Sequence, residues 1–390
     1  MTVDLHLGYV PLVDAAPLLV ADVLGFAEEE GLHVVLHAAP SWANLRDLLA
    51  MGQVDAAQML APVPIAMALG LGRGTARFEA LSVLNMNGNV IGVSRAIADR
   101  MRAAGYGFDF KDAFAAGHAV LAASQHLRIG VPFAFSMHVE LLHYWLAAVG
   151  CRLDRLEIVT VPPPRMGAAL AADEIDVFCV GEPWGSVAVD MGAGELLLPG
   201  SAIWARAPEK VLAVRTGWAE EEPVLAGRLL RAVWRAGRWL GQAENQMIAA
   251  EMLGSAQRLG VAAEVIERSL SGRMVMTRGG GETPSPHLIE FQSGAASFPW
   301  RSQAAWIGVQ LATRYGLDPG DAAQKAAAVF RSDLYRLHLR AAGAELPGAS
   351  DKLEGALAMD TAVPAERGQM ILPADPFFDA RIFDPSLPAR

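Results

Sequence analysis

The chain has 390 residues, of which 53% are hydrophobic and 19% charged, and a formal net charge of −10. That length accommodates two or three domains with sizeable cores, while the acidic balance excludes a generally basic surface for nucleic acid or anionic membrane. One anion held by local dipoles stays possible, and no apolar run reaches the roughly 18 uncharged residues of a membrane span.

Met1 to Asp4 leads straight into an apolar segment, with no basic region, apolar core and small-residue cleavage site of a secretion signal and no lipoprotein cysteine. The expectation from this is a cytoplasmic location. Leu5 to Val10 reads as a first strand. Asp14 is placed to cap a helix that has Pro17 in its first turn and ends at Gly31. Leu32 to Ala38 is a second strand, and Ser41 caps a helix that Gly52 ends. Val54 to Leu60 is a third strand, after which Pro62 and Pro64 open a helix. This alternation predicts a parallel, doubly wound sheet.

Leu81 to Ser94 is extended but rich in Asn and Gly, and is predicted to cross between lobes. Residues 95–125 form an Ala-rich insert. Alternation resumes with a strand over Leu127 to Val131 and a helix over Met137 to Val149 capped by Ser136. A strand over Leu156 to Val161 and a helix opened by Pro162 to Pro164 follow. Val177 to Trp184 reads as a buried strand that hands over to a helix, a junction of the kind at which α/β proteins bind small ligands. Lys210 to Arg215 is a strand that crosses back. Helices are expected near 219–243, 245–259, 261–270 and 302–315, with a loop over Arg278 to Pro286. The tail is irregular, anchored by Phe377, Phe378 and Phe383.

The order lobe, crossing strand, second lobe, returning strand fits an α/β, two-lobed, hinge-closing binding protein with two crossing strands and a ligand cleft between the lobes. Residues 1–88 form the first part of lobe I, 89–207 lobe II, 208–344 the return to lobe I, and 345–390 a proline-rich tail that wraps the surface. No GxGxxG follows the first strand, and no GxSxG, HExxH or Walker A motif is present, so nothing marks an enzyme.

Several residues point at the expected cleft. Trp42 opens a helix, where its indole N–H and nearby backbone N–H groups suit an anion; packing between the lobes is the alternative. Asn87-Gly88-Asn89 either presents side-chain amides to the cleft or makes a turn with positive φ. Lys210 lies on the returning strand, suited to neutralise an anion, unless it is solvated. His138 sits in the first turn of its helix, as donor or as packing. Glu182 opposes an anion unless it pairs with a cation or is held away.

Gly8-Tyr-Val-Pro-Leu-Val-Asp14, Ser41-Trp-Ala-Asn-Leu-Arg-Asp47, Asp55-Ala-Ala-Gln-Met-Leu-Ala-Pro-Val-Pro64, Phe178-Cys-Val-Gly-Glu-Pro-Trp184, Pro208-Glu-Lys210 and Phe298-Pro-Trp-Arg-Ser302 occur in this order. Together they resemble the nitrate- and bicarbonate-binding family of ABC-transporter solute receptors, the NrtA/CmpA family. The resemblance implies a periplasmic-binding-protein-like fold of type II. The chain looks like the cytoplasmic branch of that family, the NasS-type nitrate/nitrite sensors. These sequester an ANTAR-type RNA-binding antiterminator, NasT-like, and release it when nitrate or nitrite binds. A transport receptor for nitrate, nitrite or bicarbonate is the alternative. The implied ligand contacts are Trp42, Asn89 (where transport receptors tend to have Gln), His138, Gly181 and Lys210. Bicarbonate receptors also hold calcium, but no matching carboxylate cluster is found, so neither metal nor cofactor is expected. A thiamine-precursor synthase of the same fold needs a Cys-rich iron motif, and this chain has only Cys151 and Cys179.

Overall fold

The computed structural model describes residues 2–72 and 74–387. Two sheets divide it into two lobes. Ten strands matter here: β1 (Val3–Tyr9), β2 (Leu32–Ala38), β3 (Ala56–Leu60), β4 (Phe78–Asn87), β5 (Asn89–Ser94), β6 (Leu127–Val131), β7 (Leu156–Thr160), β8 (Val177–Gly181), β9 (Gly194–Pro199) and β10 (Pro208–Arg215). The first sheet runs β4-β10-β3-β1-β2, with the short strand Ile289–Glu290 beyond β4. The second runs β7-β6-β8-β5-β9. β1 pairs parallel with β2 along its whole length, from Val3↔Leu32 to Tyr9↔Ala38. β10 lies antiparallel to both β3 and β4, and β5 antiparallel to β8 and β9. Both sheets are therefore mixed, which corrects the expectation of a parallel one. In each, the strand that arrives from or returns to the other lobe enters against the parallel set.

The crossing segment is not one strand but two, parted at Gly88. Asn87 has φ 59° and Gly88 φ 98°, left-handed conformations that Gly and Asn tolerate best. Asn87 spends its side chain on this corner: Nδ2 donates to Ala205 O at 2.7 Å and Oδ1 accepts from Ala207 N at 3.0 Å. The turn alternative thus applies to Asn87 and Gly88, whereas Asn89 already belongs to the second sheet.

Local chemistry explains the elements around the cleft. Ser41 Oγ accepts from Asn44 N at 3.2 Å and caps Trp42–Ala50. Ser136 Oγ accepts from Val139 N at 3.4 Å and caps Met137–Ala148. Asp14 does not cap. It lies in the 3-10 turn Val13–Ala15, and the helix after it is two pieces, Ala16–Val23 and Phe26–Glu29, broken at Gly25. Strand β9 and the helices Pro319–Val329 and Ser332–Leu339 are additions to the sequence reading. The tail contains a hairpin, Thr361–Pro364 with Gln369–Leu372, and its Phe377 stacks on Trp204 with centroids 4.7 Å apart.

The lobes meet along a seam. Val13 N donates to Glu182 O at 3.0 Å, and Trp184 Nε1 donates to Pro11 O at 3.0 Å. Ser269 Oγ donates to Glu182 Oε2 at 3.2 Å, and Arg314 pairs with the buried Glu140. The Gly-Glu-Pro-Trp junction is therefore fastened to the other lobe. Glu182 faces Ser186 and Ser269 rather than the cleft centre.

Candidate functional site

Six chain segments bring polar side chains to one buried point between the sheets. Lys210, near the start of β10, has no solvent exposure. Its Nζ lies 2.7 Å from Asp14 Oδ2 and 2.8 Å from Glu209 Oε1. Consecutive strand residues normally face opposite ways, but here the β10–β4 register shifts on both sides of Lys210. Such irregular pairing re-aims side chains, and Glu209 and Lys210 meet in the same place.

Asn89, first residue of β5, donates through Nδ2 to Glu209 Oε2. His138, one residue into its helix, brings Nδ1 to 3.5 Å from Glu209 Oε1 without forming a hydrogen bond. Trp42, at the first position of its helix, lies under Lys210 Nζ, 5.5 Å from the ring centroid. Gly181 faces Asn89 across the β5–β8 ladder. Glu182 N donates to Gly88 O, so Asn89 and Gly181 form the pair whose N–H groups point away from each other. A Cβ on Gly181 would come 2.7 Å from Leu12 Cδ2 and 3.4 Å from Asp14 Oδ2, so backbone alone fits there.

The structure thus brings Trp42, Asn89, His138, Gly181 and Lys210 together, and adds three residues that the sequence reading did not assign to a site. Asp14 accepts from Gln58 Nε2, and Gln58 Oε1 accepts from Val10 N at 2.9 Å. Glu209 is the third. A signal for two of them existed: Gln58 interrupts Ala-Ala-Gln-Met-Leu and Asp14 interrupts Leu-Val-Asp-Ala-Ala. A polar residue buried in an apolar run needs a partner.

Burial sets the charges. It drives His138 far below the usual histidine range, with Lys210 adding to the effect, so the imidazole is neutral and its approach to Glu209 is not an ion pair. Burial also raises the carboxyls of Asp14 and Glu209, against the pull of Lys210. Lys210 is disfavoured by burial, but the two carboxylates outweigh this and hold it above the usual lysine range. Several donors and acceptors stay unpartnered: Trp42 Nε1, both ring nitrogens of His138, and Asn89 Oδ1. Unsatisfied polar atoms at this depth are costly. Their convergence around one ammonium defines a place that can hold a small polar ion. Among the described residues, no group of three or more His, Cys, Asp and Glu is arranged to hold a metal. No helix among them is long and apolar enough to cross a membrane.

Two sheets, two crossings and a buried polar cluster between them define a two-lobed solute-binding protein of the type II periplasmic-binding fold. The profile of the NMT1-like family matches residues 2–254, and the chain belongs to that family. Within it, the chain groups with the nitrate- and bicarbonate-binding solute receptors. It is 30% identical to the nitrate/nitrite binding protein NrtA of Synechocystis, over 98% of this chain and 82% of the relative. To NrtA of Nostoc it is 29% identical, over 99% and 84%. It is 32% identical to the nitrate import ATP-binding protein NrtC of Synechococcus elongatus, where 99% of this chain spans 54% of the relative. The crystal structure of the periplasmic nitrate-binding protein NrtA from Synechocystis superposes with a TM-score of 0.83 at 27% identity, over 98% of this chain and 96% of that one.

Proposed function

We propose that this protein binds nitrate or nitrite between its lobes and acts as a binding protein rather than an enzyme. Lys210 supplies charge in this reading, and Trp42, Asn89, His138 and the Gly181 backbone supply directed contacts. The observation that carries it is the convergence of Lys210 with the unpartnered Trp42 Nε1 and His138 nitrogens at a point without solvent. The relatives named as nitrate/nitrite binding proteins support the choice of anion. Charge-assisted hydrogen bonds contribute about 1.5–3 kcal/mol each, so a few of them reach the roughly −8 kcal/mol of a micromolar site. Titration calorimetry with nitrate and nitrite tests this reading, and no heat with either anion at millimolar concentration rejects it.

On the resemblance to NasS-type sensors, the bound anion also controls a protein partner in the cytoplasm. The ligand-free protein holds a NasT-like antiterminator, and nitrate or nitrite, by favouring the closed lobes, releases it. Linkage then requires the partner to weaken anion binding by the same factor. The second reading, the solute-binding component of an ABC transporter, is favoured by the names of the relatives. Co-purification with an antiterminator, and its loss on adding nitrate, supports the sensor. A complex that nitrate leaves intact rejects it.

A further inference from the structure

The proposed anion site contains its own anion. Of the residues assigned as contacts, Asn89 donates to Glu209, Lys210 sits 2.8 Å from Glu209, and His138 lies 3.5 Å from it. The donors that would grip an incoming anion therefore already surround one carboxylate. Glu209 is wholly buried and cannot turn outward to solvent while the lobes stay closed. With His138 neutral, the ionised cluster of Asp14, Glu209 and Lys210 carries one net negative charge. A nitrate beside it would add a second, and nitrate has only acceptor atoms to offer those carboxylates.

We propose that Glu209 is a further residue of the anion site, and that nitrate or nitrite enters with one proton taken from solvent. That proton rests on the Glu209 carboxyl group, whose O–H then donates to the anion. The proposal rests on the anion-site reading above. Charge balances: one anion and one proton enter, and the cluster keeps its net charge. Lys210, Asn89 and His138 turn from the carboxylate to the anion, while Asp14, held by Gln58, remains the counter-ion of Lys210.

The groups facing Glu209 do not offer another home for the proton. Lys210 on its own strand is already charged, and His138 on the facing helix is held neutral by burial and by Lys210. Cys179 on β8 is kept protonated by burial first and by Glu209 second. Asp14 is the one competitor, and both of its oxygens lie against donors. Burial acts on Glu209 in the required direction, raising its carboxyl against Lys210.

Nitrate calorimetry on the full chain at pH 7.5, in phosphate and in Tris, gives the protons taken up per anion from the buffer dependence of the heat. Half a proton or more is expected for the unaltered protein, together with an affinity that falls several-fold per pH unit toward pH 8.5. Nitrate binding with less than half a proton taken up overturns the proposal and leaves the anion site standing. No nitrate binding at all overturns both. In E209Q the uptake should fall to near zero while nitrate still binds, since the amide keeps a donor toward the anion. Uptake that persists in E209Q but vanishes in D14N would move the proton to Asp14 and overturn the assignment to Glu209.

Discussion

The molecule contains two lysines, one wholly buried and one half-buried, each set between two carboxylates and beside a tryptophan. Lys210 lies between Asp14 and Glu209, with Trp42 at 5.5 Å. Lys352 lies between Glu354 and Asp375, with Trp300 at 5.8 Å. Around Lys352, Ser302 Oγ donates to Glu354 at 2.6 Å and Leu357 N donates to Asp375 at 2.9 Å, and none of these side chains leaves a buried polar atom without a partner. Around Lys210, the Trp42 indole, both His138 nitrogens and the Asn89 carbonyl are left over. One cluster is closed upon itself and pins the tail to the helix Arg301–Tyr315. The other is assembled from both lobes and has bonding capacity to spare. A lysine held between two carboxylates therefore says nothing about function by itself, whereas the unspent donors around it do.

The sharpest way to break this contrast is Lys352→Met. It strands Glu354 and Asp375 where no lobe motion can wet them, and loss of one partner from a buried pair costs about 3–5 kcal/mol. A urea-unfolding midpoint should fall accordingly while nitrate affinity stays within about twofold. Lys210→Met leaves Asp14 and Glu209 equally short of a partner, but opening the lobes returns them to water. Its stability loss should be smaller, about 1–2 kcal/mol, while nitrate binding is lost. Equal stability losses in the two variants would erase the distinction between a fastening and a site. Trp42→Phe removes the indole N–H together with part of a fully buried ring, so it should lower nitrate affinity by roughly fivefold or more by calorimetry and also lower the melting temperature through the cavity it leaves.

The mildest probe is Glu182→Gln at the seam. Burial raises the Glu182 carboxyl from 4.5 to about 7, despite hydrogen bonds from Ser186 and Ser269 that favour its charge. The folded protein thus keeps a proton that the unfolded chain releases. Stability from this group falls as pH rises from about 4.5 to about 7 and is level above that, with a slope of at most about 1.4 kcal/mol per pH unit. Glutamine cannot titrate, so unfolding midpoints between pH 5 and 8 should show the variant with the flatter profile. Parallel profiles would mean that Glu182 is charged in the fold.

The sequence made the two-lobed plan readable because its signals are local. Ser41 and Ser136 stand before their helices, and Asn87-Gly88 breaks an otherwise continuous extended run. Trp42, Asn89, His138, Gly181 and Lys210 came from the resemblance joined to those placements. Glu209 was hidden because strand alternation assigns it the face opposite Lys210, and only the irregular β10–β4 pairing overturns that rule. Asp14 read as a cap because an acid before an Ala-Pro helix start usually is one, and its partner Lys210 is far away in the chain. β9 escaped notice because Gly194–Pro199 follows a glycine-rich turn and is defined by pairing with β5, which no local pattern reports.

Glu182 and Trp184 hold the lobes together through atoms that touch no part of the anion cluster. This gives the seam a role as a gain control. If only a fraction of ligand-free molecules is closed, the apparent dissociation constant exceeds the intrinsic one by the inverse of that fraction. Each 1.4 kcal/mol added to or removed from the seam then resets the working concentration about tenfold without altering the chemistry of recognition. The concentration at which this protein responds and the identity of the ion it recognises are therefore written in different residues and can change independently.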